Sequence, residues 1–300
     1  MRLSRALRAA LIGLLAVAIL GYGLVSLAAA AILTQPFRQT LKGDPRASLD
    51  LAFESVTFPA RVDAVSISAW HIPAREATRA IVLVHGMGGC RTCEFQGKVL
   101  EFAKAMNARG FAVLMIDLRG HGTSGPGRFT FGQLERRDVL GAVDYLLGRG
   151  FKPGRIGVLG ISMGAASSIG AAAEEPAIGA LVEDSGYSDL NPLLQVEFPR
   201  SSGLPVFFLP GTLAAARLIT GADITQAVPV REIVKIAPRP VMVIHARGDA
   251  LVPFAQAGDL ARAAGVEAWI TPADGHARSY AASPAEYAAR VGDFFERSLK

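Results

Sequence analysis

Residues 160–164 read Gly-Ile-Ser-Met-Gly, a serine with a glycine two positions away on each side. They follow the short apolar run RIGVL and precede an Ala- and Ser-rich stretch, which places Ser162 on a tight turn from a strand into a helix. On such a turn the backbone is strained, and Gly160 and Gly164 admit neighbouring chain where a Cβ would clash. The hydroxyl then stands at a helix N-terminus, whose dipole favours developing negative charge. A serine hydroxyl is a poor nucleophile until a base takes its proton. The chain has five histidines, His71, His85, His121, His245 and His276. Only His276, in PADGHARS, lies downstream of the serine in a loop that directly follows an apolar run. His245 falls inside a strand and is expected in the core. An acid must orient the imidazole. Asp249, in HARGDALVP, meets the chain order Ser, Asp, His, and Asp184, closing IGALVED, is the second candidate. Asp117, Arg119 and His121 read as the framework of a tight loop beside the serine.

Residues 85–93, HGMGGCRTC, hold the chain's 2 cysteines, Cys90 and Cys93. A C-x-x-C after a strand and before a helix can be a redox pair, but that reading leaves the Ser, Asp and His set unexplained. A metal site needs further ligands, and none is expected. In an oxidising compartment the two sulfurs can close into a short disulfide that stiffens the loop, or stand as two unbridged small residues.

The elements that must position these residues alternate. Strand patterns at 51–58 and 64–72 suggest a hairpin or meander. Apolar runs at 80–86, 111–118, 155–160, 178–184, 241–246 and 266–272 read as strands, with helices at 95–109, 138–150, 163–175 and 284–298. This predicts an α/β fold, a mostly parallel sheet with helices on both faces, whose ligands bind at the carboxyl ends of the strands. Residues 187–238 break the alternation, and the unusually apolar PVFFLPGTLAAARLIT within them predicts a helical cap over the site.

Hydrophobic residues make up 51% of the 300, enough for a sizeable core, and the net charge of +5 is spread along the chain. No basic block outside the N-terminus suggests nucleic acid as a partner. Residues 1–8 are basic, and 9–33 carry no charge and are almost wholly apolar. Roughly twenty such residues cross a bilayer core, so 9–33 predicts a transmembrane signal-anchor. Basic residues before it place the N-terminus in the cytoplasm and the body outside. The competing reading is a cleaved signal with small residues at Ala28–Ala31. The polar 34–50 reads as a linker and 51–300 as the folded domain.

Taken together, HG-x-G-G after a strand, DLRGHGTSG at 117–125, GISMG, GDALVP and the final GH resemble the α/β-hydrolase superfamily, in particular its monoacylglycerol-lipase-like and serine-aminopeptidase-like members, over about residues 50–300. The resemblance implies a serine hydrolase without cofactor, with Ser162 as nucleophile, Asp249 as acid and His276 as base. It also implies an oxyanion hole from the backbone N–H groups of Met87 and Met163, shaped by His85 and Gly86. HGMGG departs from the HGGPG of prolyl aminopeptidases, which disfavours that peptidase branch. The apolar cap and the anchor point to a hydrophobic ester; thioester or peptide substrates remain the alternative, and a non-catalytic binding protein is the reading outside the enzymes.

Overall fold

Eight strands form one sheet in the computed structural model, which describes residues 4–300. Arg2, part of the expected basic 1–8 segment, lies outside them. The strands are β1 (Glu54–Pro59), β2 (Ser66–Ile72), β3 (Arg79–Val84), β4 (Phe111–Ile116), β5 (Ile156–Ile161), β6 (Ile178–Asp184), β7 (Val241–Gly248) and β8 (Ala268–Asp274). Their order is β1-β2-β4-β3-β5-β6-β7-β8. β1 and β2 join antiparallel, β2 runs antiparallel to β4, and every other pairing is parallel. This is the α/β-hydrolase sheet that the motifs imply. The inner strands β3 to β6 are nearly unbroken apolar runs because helices cover both of their faces.

The helices are α1 (Arg5–Leu33), α2 (Pro45–Leu49), α3 (Val99–Ala108), α4 (Arg136–Gly148), α5 (Met163–Glu174), α6 (Leu190–Ser202), α7 (Leu209–Thr220), α8 (Val230–Ile233), α9 (Ala255–Ala264), α10 (Ser279–Ala282) and α11 (Pro284–Ser298). Period-two alternation splits β3 between two cores. Val82 and Val84 pack with α4, α5 and α9, whereas Ile81 and Leu83 pack with α3 and α11. Glycine is required where α5 crosses the sheet, since a Cβ on Gly164 would stand 2.4 Å from the His85 carbonyl oxygen and one on Gly160 2.4 Å from that of Gly164.

Two boundaries and three helices differ from expectation. The cap is narrower than 187–238, because Ile233 and Ile236 are buried in the main core beside α5. Helices α2, α9 and α10 fall outside the expected helical ranges. Residues 34–50 are no free tether. Thr34 is buried, Arg38 donates to the carbonyls of Gly122 and Ser124 at 2.8 and 2.7 Å, and Gln39 donates to that of Gly88 at 2.6 Å. Arg128 donates to the Ala31 carbonyl at 2.9 Å and so satisfies the C-terminal end of α1. Helix α1 is apolar and long enough to cross a membrane.

Candidate active site

Ser162 occupies the turn between β5 and α5 with φ 56° and ψ −120°, a conformation side chains rarely adopt. Its amide is held by the Asp184 carbonyl at 2.9 Å, which fixes the turn against β6. His276 follows β8, and its Nε2 lies 2.7 Å from Ser162 Oγ. Its Nδ1 lies 2.7 Å from Oδ2 of Asp249, which follows β7. With Nδ1 protonated the imidazole donates to Asp249 and accepts the serine proton at Nε2. Three chain-distant residues thus form one hydrogen-bonded line across the carboxyl ends of three strands.

Asp249 is completed by its surroundings. Its Oδ1 accepts the N–H groups of Leu251 and Val252 at 3.0 and 2.9 Å. His245, expected to be a plain core residue, is buried but lies with Nε2 3.3 Å from Asp249 Oδ2. Burial alone would raise the Asp249 carboxyl, but the hydrogen bonds from His245 and His276 outweigh it and hold the group well below the usual carboxylate range. Asp184, the second acid candidate, makes no hydrogen bond to His276. It accepts from Ser185 Oγ and Tyr287 Oη instead, both at 2.8 Å. His71 stays in the core beside Tyr145.

The loop after β3 brings its backbone to the serine. The N–H groups of Met87 and Met163 have no acceptor among the described residues, and both residues line the cavity at Ser162. Two neutral imidazoles set the loop's path. His85 donates from Nδ1 to the Gly86 carbonyl at 2.7 Å and accepts the Leu118 N–H at Nε2, 3.0 Å away. His121 donates to the Arg119 carbonyl at 2.9 Å and accepts the Gly88 N–H at 3.2 Å. Burial lowers both, His85 to about 4, which keeps these acceptor nitrogens free of protons. Asp117 binds the far end of the loop through the Arg91 N–H at 2.7 Å and its guanidinium at 2.6 Å. Glu94 accepts the Gly86 N–H at 2.8 Å, and burial raises its carboxyl to about 7. The structure pairs Cys90 with Cys93 in a disulfide at the end of this loop.

A cavity of about 210 Å³ opens at Ser162. Its walls are Met87, Phe131, Tyr187 and Leu251 from the body, the inner faces of α6 and α7 with Leu193, Leu194 and Leu213 among them, and Ala30, Leu33 and Thr34 from the end of α1. Among the described residues no group of His, Cys, Asp and Glu could hold a metal ion.

The model of the Alpha/beta hydrolase family matches residues 81–290. The chain belongs to the α/β-hydrolase family. Its solved neighbours include the Pyrococcus furiosus esterase Pf2001, superposing with a TM-score of 0.72 at 26% identity over 88% of this chain and 100% of that one. Among curated proteins, the uncharacterized YqkD of Bacillus subtilis is 26% identical over 77% of this hydrolase and 75% of its own length. The uncharacterized Rv2307c of Mycobacterium tuberculosis is 31% identical over 46% of this chain and 47% of its own.

The sequence pattern pointed to Ser162, His276, Asp249 and the Met87 loop, and the structure brings them together. It did not point to His245 or Glu94. The signal for His245 was its position four residues before Asp249 at the end of an apolar strand, where a polar ring needs a partner.

Proposed function

We propose that this hydrolase is a membrane-anchored serine esterase that cleaves carboxylic esters with a hydrophobic acyl chain, working from the extracytoplasmic face. The observation that carries the reading is the continuous Ser162–His276–Asp249 hydrogen-bonded line at the floor of an apolar cavity. Ser162 Oγ attacks the ester carbonyl as His276 Nε2 takes its proton, and Asp249 stabilises the imidazolium that forms. The N–H groups of Met87 and Met163 receive the oxyanion, a contact typically worth ~10²–10³ in rate per donor. His276 returns the proton to the departing alcohol, leaving an acyl-Ser162. It then activates a water that releases the acid. The 26% identity to an esterase over nearly the whole fold favours an ester over an amide.

A fluorophosphonate probe is expected to label the full-length protein once, at Ser162. Ser162→Ala should remove labelling and lower kcat on p-nitrophenyl esters by ~10³-fold or more. Undiminished hydrolysis by the folded alanine variant refutes the reading.

A further inference from the structure

Helices α6 and α7 pack against the anchor helix, and the depth of that contact has consequences. Tyr22 of α1 donates from Oη to the Phe207 carbonyl at 3.1 Å and accepts the Gly211 N–H at 3.0 Å. Its ring stacks on Phe207 and Phe208 with centroids 5.9 and 5.1 Å apart. The backbones approach closely, for a Cβ on Gly211 would meet Ser26 Oγ at 2.5 Å and the Tyr22 ring at 2.6 Å. Any run of about twenty residues taken from the apolar 9–33 stretch to span the bilayer includes Tyr22. That puts Tyr22 about 6–11 residues, or about 9–16 Å, from the distal end of such a run.

The cap's composition matches that depth. Residues 201–216, the turn between α6 and α7 with most of α7, carry no charge. Val206 and Phe207 at the turn remain 43% and 59% exposed, although the Phe207 ring leans on Tyr22. The two helices together are apolar enough for a broken span, bent by 113° at this turn. In hydrocarbon every main-chain polar group needs a protein partner, and a broken helix leaves some free. The Tyr22 hydroxyl supplies one donor and one acceptor at that break.

We infer that the tip of the cap is buried in the leaflet beside α1, and that the pocket takes its substrate from there: a long-chain carboxylic ester resident in the membrane. This rests on the anchored-esterase reading above. The apolar end of the pocket is already walled by Ala30 and Leu33 of the membrane helix, so an acyl chain leaving the leaflet passes onto the protein without crossing water.

Single-cysteine variants of the full chain test the depth. Cys90 and Cys93 are paired, so a maleimide-NBD label goes to the introduced thiol alone. Leu15→Cys lies in α1, Phe207→Cys at the cap tip and Val62→Cys in the exposed β1–β2 turn. In phosphatidylcholine vesicles carrying chain-labelled doxyl lipid, labels at 15 and 207 are expected to be quenched ~2-fold or more, and the label at 62 not. Quenching at 15 with none at 207 overturns the inference and leaves the anchored reading standing. No quenching at 15 overturns both. Quenching at 62 equal to that at 207 overturns the inference, since the tip then has no depth of its own. Phe207→Asp, outside the pocket, should slow hydrolysis of a vesicle-embedded long-chain monoacylglycerol ~10-fold and leave soluble p-nitrophenyl acetate unchanged. Equal rates on both substrates, or equal loss on both, overturn the route of entry.

Discussion

Asp249 sits between two imidazoles, and the buried titratable groups there extend one strand further. Glu183, on β6, is fully buried, accepts only the Gly186 N–H at 3.0 Å, and leaves Oε1 unpartnered. Burial pushes its carboxyl up to about 8. A glutamate in the unfolded chain ionises near ~4.3, so between these values the folded state keeps a proton the unfolded state has lost. The folded state therefore binds more protons in this window, and stability falls as pH rises, by up to ~1.4 kcal/mol per pH unit. Glu183→Gln keeps the shape and removes the ionisation. Its Tm advantage over wild type should grow from pH 5 to pH 8, by ~2–4 °C for each kcal/mol relieved. Scanning fluorimetry showing the same difference at both pH values sinks this account. Glu183 also marks the limit of what single residues announce. Ser162, His276 and Asp249 were legible because each follows an apolar strand run and together they keep a chain order. Glu183, Glu94 and His245 act through neighbours that only the folded sheet supplies, and nothing in their local sequence names those neighbours.

At the scale of elements, strands and most helices were legible because burial on both faces writes unbroken apolar runs, and glycine ends the helices. The misreadings have one cause: polar or mixed segments whose role depends on what they touch. Val230–Ile236 follows the cap in sequence but packs into the main core, and 34–50 is polar yet lies across the loop after β3. That loop is held by His85, by His121, by Glu94, by Gln39, by Asp117 through Arg91, and by the Cys90–Cys93 bond. The bond closes a ring of only four residues, for which the chain-entropy argument gives ~2 kcal/mol. Thiol titration of the unreduced, unfolded protein should find no free thiol, and Cys93→Ser should lower stability by about that amount. On the proposed oxyanion role of the loop's N–H groups, kcat should fall while KM holds. Two titratable thiols in the unreduced protein would show that the loop is held by its hydrogen bonds without the sulfur bridge.

For the whole molecule, helix α1 and the body that carries Ser162 are not separable parts. Helix α1 provides Ala30, Leu33 and Thr34 to the pocket wall, packs Tyr22, Ser26 and its small residues along α7, and continues into the Arg38 strap over the loop at 121–125. A body starting at residue 38 would keep Ser162, His276, Asp249, the Met87 loop and the strap, but lose one wall of the apolar cavity and uncover the α7 face. Burying one aliphatic side chain is worth about 1.5–3 kcal/mol, and ~1.4 kcal/mol is tenfold in binding. The truncated protein should therefore hydrolyse p-nitrophenyl acetate at a rate within a few-fold of the full chain while losing ~10-fold or more in kcat/KM on long acyl chains that reach α1. The uncovered α7 surface should also drive self-association, visible as a larger species by light scattering. A truncated protein that remains monomeric with an unchanged chain-length profile would mean that α1 holds the enzyme at the membrane without shaping what it cleaves.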